Sequence, residues 1–486
     1  MKKIFSCLLI AAMMLQLVAC SGGTAKETEA ATEAATETTE TTRVQHQIPD
    51  ELDFGGETFS VAFFGNANSA KNYYAEESSS DNMVAAVFRR TKKAEDFLGI
   101  TIKYETDVEQ SDYKTLYKSG DDLYQQLFYP EALSFVTEGY LQNLEELPYL
   151  DFTADWWNAE QMDRLTLGKY PYFAVCDFMI TSPMALLFNR DMIEDNNLEN
   201  PYDLVLNNTW TLDKFSEMLF AVINDIDGDG TFGGEDDIIG SNMESFGAIA
   251  LFTGCDQMIS AKNEAGKLEL VLNSEKTLSI IDKFVTIFQT GGAIVNAETL
   301  NPINNGKKSF GSGKVLFTVG WPETMATVTN FDFNTGIVPM PKFDEAQANY
   351  MCYDMSGLMA VSGTTKNKDL VGATLEFLAW DSKNEVFPTY YDVLLKTRYA
   401  SDMETRQMMD IIFDSIAYEI GGVYFNMQPG FCELWYTGAQ ALVWGLNNFS
   451  AFFRAYKAPA RSTIENFYTE LAKVEGPMDF ETQAAQ

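Results

Sequence analysis

A strand, a helix and a second strand follow one another directly where the hydrophobic part of the chain begins, and this order constrains the fold more than any other feature. Residues 58–64 (TFSVAFF) are rich in aromatic and β-branched side chains, as expected of a strand. Residues 82–98 have the apolar spacing of an amphipathic helix that Gly99 ends, and residues 100–105 alternate as a second strand. This order is typical of a parallel sheet with crossover helices, so the sequence predicts an α/β fold.

The same alternation of strands and helices continues to about residue 474. Residues 123–129 and 172–178 are predicted strands, and Ser274 is predicted to cap a helix with apolar residues at positions 278, 281, 285 and 288. A body of this length is typical of two domains, yet no single Pro/Gly-rich linker divides it. We therefore expect two lobes joined by several chain crossings, and one continuous sheet is the alternative.

The first twenty residues have the parts of a secretory signal. Lys2 and Lys3 precede an apolar run (residues 4–19) that closes in the sequence LVAC at residues 17–20. This ending resembles the bacterial lipoprotein signal, which implies that Cys20 is lipidated and becomes the N-terminus of the mature chain. Acyl chains would then hold the protein to a membrane outside the cytoplasm. An ordinary secretory signal is the alternative.

Residues 21–53 follow as a predicted linker. They repeat threonine, glutamate and alanine, with almost no aromatic or branched apolar residue before Val44. Such a segment cannot bury enough apolar surface to fold, and its glutamates repel one another, so we expect a disordered acidic linker. A helical stalk is the alternative, because alanine and glutamate are helix formers, but the segment lacks an apolar stripe.

Charge and residue counts exclude several classes of function. The formal net charge of −36 argues against a nucleic-acid partner, since a polyanion would be repelled. The only histidine, His46, lies in the predicted linker, so we expect a body without Ser-His-Asp catalysis or His-ligated zinc. Four widely spaced cysteines can form two disulfides or, given their apolar surroundings, buried thiols. These are Cys176, Cys255, Cys352 and Cys432.

One acidic loop has the spacing of a calcium-binding loop. Asp225, Asp227, Asp229 and Asp236 supply acidic oxygens at loop positions 1, 3, 5 and 12, with a glycine at position 6. Thr231 at position 7 would add its backbone carbonyl. Calcium prefers six to eight hard oxygen ligands, so the loop predicts a structural calcium site. A solvated Asp/Gly turn is the alternative.

Several segments in order resemble the motifs of family 1 extracellular solute-binding proteins, the carbohydrate receptors of ABC importers. The acidic loop lies between residues 210–215 and residues 239–240, which resemble two parts of one such motif. The segments are residues 139–144 (GYLQNL), 210–215 (WTLDKF), 239–240 (IG), 313–321 (GKVLFTVGW), 336–341 (GIVPMP) and 356–380. Residues 68–82 and 389–424 depart from the pattern of the better-known sugar receptors.

The resemblance implies a type II periplasmic-binding-protein-like fold, in which two α/β lobes close on a ligand in an interlobe cleft. The implied hinge consists of three crossings near Phe178, Met355 and Met427. The first lobe would comprise residues 54–177 and 356–426. The second lobe would comprise residues 178–355 and 427–486.

Sugar binding needs flat aromatic faces for ring C–H groups and planar polar groups for pairs of hydroxyls. The resemblance places Trp321 at the Gly-x-Trp position, at a strand end that faces the cleft. Further candidates lie near the implied crossings or in an aromatic segment, and core packing is the alternative for each aromatic residue. These candidates are Trp435, Trp157, Tyr353, Asp354 and Asp177.

The resemblance and the lipoprotein signal together imply a function. We expect a monomeric, lipid-anchored, extracytoplasmic receptor that binds a carbohydrate and delivers it to an ABC permease without altering it. The alternatives are a secreted glycoside hydrolase with a carboxylate pair, a calcium-dependent adhesion or scaffold module, and a receptor for a ligand other than a sugar.

Overall fold

The computed structural model describes most of the chain from residue 45 onwards. The predicted signal peptide with Cys20 and residues 21–44 of the predicted linker lie outside the described residues. Within the part that is described, no helix combines the length and the apolar character needed to cross a bilayer. The described residues are 45–64, 73–106, 115, 123–126, 132–178, 181–232, 237–272, 274–296, 309–328, 330–354, 358–391, 402–425, 427–439, 448–478 and 480.

A four-stranded, mostly parallel sheet forms the centre of what we call the first lobe. Its strands are β1 (Glu57–Phe64), β2 (Ile100–Glu105), β3 (Leu123–Gln126) and β12 (Leu358–Val361). Their order in the sheet is β12-β3-β1-β2. Strand β1 pairs in parallel with β2 and β3, and β12 runs antiparallel to β3, so the predicted strand–helix–strand unit is confirmed.

A five-stranded mixed sheet forms the centre of the second lobe. Its strands are β4 (Ala185–Asn189), β5 (Ile239–Met243), β8 (Ile294–Asn296), β9 (Val315–Gly320) and β10 (Thr335–Val338). Their order in the sheet is β10-β4-β9-β5-β8, with β5 parallel to both neighbours and β4 antiparallel to both. Two small pairs complete the strands: β6 (Ser260–Lys262) with β7 (Leu268–Leu270), and β11 (Cys352–Tyr353) with β13 (Ile416–Ala417).

Helices connect and cover both sheets. The first-lobe helices before the first crossing are α1 (Asn82–Leu98), α2 (Ala132–Thr137) and α3 (Ala159–Leu165). The next six are α4 (Arg190–Asp195), α5 (Pro201–Leu206), α6 (Leu212–Val222), α7 (Ser245–Gly254), α8 (Glu275–Gln289) and α9 (Met325–Val328). The last four are α10 (Lys368–Asp381), α11 (Met403–Asp414), α12 (Ile420–Phe425) and α13 (Phe449–Glu475). Short 3₁₀ turns occupy Leu144–Glu146, Phe310–Ser312 and Pro322–Thr324, and π-helical turns occupy Ser382–Val386 and Glu433–Thr437.

Helix α1 has the bounds that the sequence predicts. The Asp81 carboxylate accepts from the Val84 amide at 3.1 Å and caps its start. Gly99 ends the helix with φ of 62°, in the left-handed region that glycine adopts without strain. A Cβ atom at Gly99 would also collide with the Asp53 side chain, so the position requires glycine.

The folded body begins earlier than the predicted linker boundary at residue 53. Ile48 is only 4% exposed, and Gln47 donates to Asp151 at 3.2 Å. The His46 ring lies 4.6–5.4 Å from three aromatic rings, those of Phe97, Phe377 and Trp380. Residues 45–53 are therefore packed, because their few apolar side chains are enough to dock on the first lobe. The expectation of a body without histidine is corrected by the same contacts.

The structure also changes the predicted extent of the first lobe after strand β12. Residues 356–426 were predicted to belong to the first lobe, but helix α11 packs on the second-lobe strand β10. Asp402, the cap of α11, forms an ion pair with Arg190, and Tyr202 shares a hydrogen bond of 2.7 Å with Thr405. These polar contacts place α11 in the second lobe.

Helix α13 contacts both lobes, although residues 427–486 were predicted to belong to the second. In its middle, the Tyr468 hydroxyl accepts from the Leu268 amide of β7 at 2.8 Å. At its end, Glu475 accepts from the Lys169 amide of the first lobe at 2.7 Å. One helix thus connects the two lobes.

The four cysteines of the body are free thiols in the structure. Cys176, Cys255 and Cys352 are buried, and Cys432 is half-buried. Burial raises the pKa of both Cys255 and Cys352 to about 12, so these thiols remain protonated and unreactive at neutral pH.

Candidate functional site: the crevice beside the hinge

Three chain segments lie side by side between the two sheets and form the hinge. The Met184 amide donates to the Tyr353 carbonyl at 2.8 Å, which joins the first segment to β11. The Asp354 amide donates to the Ala417 carbonyl at 3.1 Å, which joins β11 to β13. Adjacent extended segments can rotate together about a common axis, as hinge closure requires.

Of the three predicted crossings, one lies beside this hinge, one falls on a residue outside the described part of the chain, and one lies elsewhere. Phe178 precedes the first segment, and Met355 lies outside the described residues directly after the second. Met427 is 60% exposed and takes no part in the array. The third segment is instead β13 (Ile416–Ala417), because its backbone supplies the ladder partners of β11.

Glu323 lies where the two lobes meet beside this hinge. It belongs to the short turn Pro322–Thr324, directly after the second-lobe strand β9. Its carboxylate accepts from the Ser182 hydroxyl at 2.6 Å and from the Tyr390 hydroxyl at 3.4 Å. Tyr390 lies near the end of the continuous helical segment that starts with α10 on the first lobe and runs to Tyr391, so this contact bridges the lobes.

Glu323 combines two properties that identify a crevice. Its side chain is exposed to solvent. Burial among surrounding atoms nevertheless raises the pKa of its carboxyl group. We therefore treat the space beside Glu323, between Ser182 and Tyr390, as a candidate ligand crevice.

Three tyrosines and a second carboxylate belong to one electrostatic group with Glu323, in which Tyr390 contacts Glu323 directly and Tyr418 is linked through Asp354 and Tyr73. Burial raises the pKa of Tyr73, and the negative charges of Asp354 and Glu323 raise it further. Burial and the same two carboxylates raise the pKa of Tyr390. Burial, Asp354 and Tyr73 together raise the pKa of Tyr418. The five side chains therefore form one electrostatically coupled group.

Tyr418 has an unsatisfied hydroxyl group in this cluster. The residue is 1% exposed and follows the hinge strand β13, where its amide donates to Gln161 at 3.2 Å. Its hydroxyl has no hydrogen-bond partner among the described residues. Because a buried polar group without a partner is costly, the hydroxyl marks a position that a ligand or water can satisfy.

Trp321 lies at the end of β9, as the resemblance implied. It is half-buried, and its amide donates to the Thr324 hydroxyl at 3.1 Å, which holds the turn that also carries Glu323. Its partly open ring, two residues from the crevice carboxylate, remains a candidate stacking surface.

Trp435 and Tyr353 lie together at the hinge, but they are packed. Trp435 is 3% exposed and Tyr353 is 5% exposed. Their ring centroids are 5.5 Å apart in an edge-to-face arrangement. Trp435 also packs so closely on Gly422 that a Cβ atom there would approach its ring to 2.8 Å. Both rings are almost entirely covered, so we assign both to support of the hinge strand β11.

Asp177 directly precedes the first crossing, and Asp354 directly follows the hinge strand β11. Burial raises the pKa of Asp177 to about 6, although Lys383 lies 3.4 Å from its carboxylate. Asp354 is 2% exposed on the hinge, beside the tyrosines described above. Of the predicted carboxylates, Asp354 belongs to the crevice cluster, and Asp177 forms an ion pair.

Trp157 is a core residue, and the prediction that it contacts ligand is corrected. Its indole is 4% exposed, and its Nε1 donates to Glu376 at 3.0 Å. Trp156 donates to the same carboxylate at 3.1 Å. The tandem tryptophans thus satisfy a buried carboxylate of helix α10.

Sequence reasoning missed four members of the crevice, namely Glu323, Tyr73, Tyr390 and Tyr418. Tyr73, Tyr390 and Tyr418 come from the segments that depart from the family pattern, residues 68–82 and 389–424. That departure was the available signal, because segments that differ among receptors are where ligand contacts differ.

The acidic loop brings three of its predicted ligands together. Carboxylate oxygens of Asp225, Asp227 and Asp229 all lie within 4.8 Å of one another. Gly228 and Gly230 adopt left-handed φ values of 73° and 79°, which turn the loop so that the carboxylates converge. The donor set is hard and anionic, as calcium prefers.

The end of the acidic loop is closed by a residue that we did not predict. Asp236 lies outside the described residues. The neighbouring Asp237 is 4% exposed and accepts from the Ile226 amide at 3.0 Å, which ties the end of the loop to its beginning. Thr231 donates its amide and hydroxyl to Asp229, and these bonds lower the pKa of Asp229.

The chain matches a family model and several solved structures. The model described as bacterial extracellular solute-binding protein matches residues 89–395. No curated protein matches the sequence.

Three of the similar structures illustrate the shared fold. One is the galacto-N-biose-/lacto-N-biose I-binding protein of an ABC transporter from Bifidobacterium longum, in complex with lacto-N-biose (TM-score 0.56, 12% identity, 85% of this chain and 98% of that chain). Another is a maltose-binding periplasmic protein from Listeria monocytogenes in complex with maltose (TM-score 0.52, 16% identity, 85% of this chain and 98% of that chain). A third is UgpB from Mycobacterium tuberculosis in complex with glycerophosphocholine (TM-score 0.51, 14% identity, 85% of this chain and 98% of that chain).

At these identities the likeness concerns the fold. The two α/β lobes, the hinge and the crevice agree with the predicted type II architecture, which the neighbours confirm. The matched family segment includes the hinge strand β11 and the crevice residues Glu323, Asp354 and Tyr390. The chain therefore belongs to the family of bacterial extracellular solute-binding proteins.

Proposed function

We propose that this protein is an extracytoplasmic receptor that binds a saccharide between its lobes and delivers it to an ABC permease. The observation that carries the proposal is the interlobe crevice at Glu323, where a carboxylate and tyrosine hydroxyls meet beside the half-buried ring of Trp321. Carboxylates accept pairs of sugar hydroxyls, and aromatic faces pack on sugar C–H groups. Receptors of the same fold have been solved with maltose and lacto-N-biose, which supports this ligand class.

The membrane attachment is part of the same proposal. The lipobox-like ending at Cys20 and the acidic segment 21–44 support a lipid anchor followed by a spacer. Metabolic labelling with a clickable fatty acid tests this, because the wild-type chain should be labelled and Cys20→Ser should not. Labelling that persists in the Cys20→Ser chain would contradict the anchor.

A saccharide panel tests the binding function. Isothermal titration of the protein with neutral di- and trisaccharides, peptides and polyamines should give binding to at least one saccharide, and Trp321→Ala should weaken it about tenfold through loss of ring stacking. Reducing ends should not appear during the incubation, whereas a glycoside hydrolase would release them. Binding of peptides or polyamines alone would reject the proposal.

We further propose that Asp225, Asp227, Asp229 and Thr231 hold a structural calcium ion. The convergence of three carboxylates supports this assignment. Calcium at about 100 times its Kd should stabilise the fold by about 2.7 kcal/mol, because it binds only the folded loop. The melting temperature should therefore fall in chelator and recover with calcium but not with magnesium.

Asp227→Asn should abolish the calcium response, and Asp282→Asn is its matched control. Asp282 is exposed on helix α8 and carries the same charge, so this variant should respond to calcium like the wild type. Equal melting temperatures of the wild type in calcium and in chelator would refute the site.

A further inference from the structure

Glu323 is a carboxylate whose polar contacts come from hydroxyl groups. Its two oxygens accept from Ser182 and Tyr390. Burial raises the pKa of its carboxyl group, and these hydroxyls oppose the rise, whereas no cation does. Within the described part of the chain, no lysine or arginine lies within ion-pair distance of it, in contrast to Asp177 with its Lys383 partner.

The side-chain group to which Glu323 belongs also includes a second carboxylate and a phenol hydroxyl that has no partner among the described residues. Asp354 and Glu323 together raise the pKa values of Tyr73 and Tyr390, so both charges act on the same small volume. The buried Tyr418 hydroxyl, which has no hydrogen-bond partner among the described residues, belongs to the same group. A ligand here meets acceptors and phenol hydroxyls in a partly desolvated site, where like charges repel strongly.

We propose that Glu323 sets the charge selectivity of the receptor, so that the crevice takes saccharides that are neutral or carry an amine and rejects those that carry a carboxylate or a phosphate. This inference rests on the proposed saccharide function and adds the ligand's charge class. A neutral saccharide donates hydroxyls to Glu323, and an amino sugar adds a favourable charge. A uronate brings a second anion against a carboxylate that no described cation neutralises.

The test compares matched probes by isothermal titration in about 0.15 M salt, where the Debye length is about 8 Å. The probes are neutral trimers of glucose, galactose and mannose, the glucosamine trimer, and trimers of galacturonate and glucuronate. We expect a neutral or glucosamine trimer to bind at least about tenfold more tightly than the uronate trimers.

Two variants in the crevice separate charge from hydrogen bonding. Glu323→Gln keeps the size and one acceptor but removes the charge, so the preference for neutral over uronate trimers should shrink about tenfold. Ser182→Ala removes one donor and leaves the charge, so the preference should remain. Glu345→Gln, an exposed loop position, removes the same charge elsewhere and should change nothing.

The outcomes distinguish this inference from the proposed function. If a uronate trimer binds the wild type as tightly as the neutral trimer of the corresponding sugar, the charge selectivity is refuted and the saccharide receptor stands. An unchanged preference in a folded Glu323→Gln protein, checked by circular dichroism, refutes the role of this residue. If no saccharide binds at all, the proposed function fails and this inference fails with it.

Discussion

At the scale of single residues, buried carboxylates have two different roles in this molecule. Glu376 is fully buried and accepts from Trp156, Trp157 and the Asp151 amide, at 3.1, 3.0 and 3.3 Å. These bonds hold the loop before α3 onto helix α10. Glu323 is instead accessible in the crevice. Both are glutamates within mostly apolar segments, and only their surroundings separate a structural group from a proposed ligand contact.

Glu376 makes the stability of the fold depend on pH. Burial raises its pKa from 4.5 to about 7, so the folded state holds the proton more tightly than the unfolded state does. The contribution of this group to the free energy of unfolding is therefore greatest below about pH 4.5 and falls as the pH rises to about 7.

Urea unfolding at several pH values checks this dependence on Glu376. Glu376→Gln should be less stable at acidic pH by about 1–3 kcal/mol, because one indole N–H loses its acceptor, and the decline in stability between pH 4.5 and 7 should be smaller than in the wild type. The exposed variant Glu145→Gln should retain the wild-type decline. Parallel pH profiles for Glu376→Gln and the wild type would contradict the assignment.

At the scale of elements, residues 45–53 show how few buried apolar side chains are needed to dock an irregular segment on the folded body. Ile48 is 4% exposed, and His46 contacts the rings of Phe97, Phe377 and Trp380. Burial lowers the pKa of His46, although Asp50 and Asp381 act in the opposite direction. The segment covers part of the face of α1 and α10.

Removal of this segment should destabilise the body. A chain that begins at Phe54 should lose about 2–5 kcal/mol of unfolding free energy relative to one that begins at Gln45, since Ile48 alone buries a whole aliphatic side chain. Ile48→Ala should reproduce most of the loss, and Ile48→Val should cost about 1 kcal/mol. Equal urea midpoints for the two chains would show that the segment does not stabilise the fold.

Helices differ in how well their buried faces could be predicted. The Ser274 cap of α8 is confirmed, with the Thr277 amide donating to its hydroxyl at 3.0 Å. Yet Leu278, predicted to be inside, is 38% exposed, while Phe284 is fully buried. The helix carries two adjacent apolar rows, and only the sheet beneath it determines which row is covered.

At the scale of the whole molecule, the hinge and helix α13 have opposite effects on the movement of the lobes. The hinge segments allow the lobes to rotate. Helix α13 is tied to the second lobe at Tyr468 and to the first lobe at Glu475. Any closure of the two lobes must therefore leave helix α13 attached to both of them.

Ligand binding should make the molecule more compact. A saturating saccharide contacts both walls of the crevice, so small-angle X-ray scattering should show a lower radius of gyration than for the free protein. Tyr468→Phe removes the acceptor of the Leu268 amide and should enlarge the difference by loosening one end of the connection. An unchanged radius in saturating ligand would contradict closure about this hinge.

Secondary structure and local turns could be predicted from the sequence alone. The strand–helix–strand unit, the bounds of α1 and the convergence of Asp225, Asp227 and Asp229 all depend on neighbours within a few residues, where periodicity and turn chemistry act. The ordered motifs, together with that alternation, also led to the two-lobed architecture.

The partners of residues distant in sequence were decided only by the tertiary structure. Trp157 meets Glu376, Tyr390 meets Glu323 and Asp402 meets Arg190 across intervals of many residues. A tryptophan that fills a core and one that faces a ligand have the same local pattern. Whether a side chain is covered depends on which distant segment packs against it, because burial and charge act through space and not along the sequence.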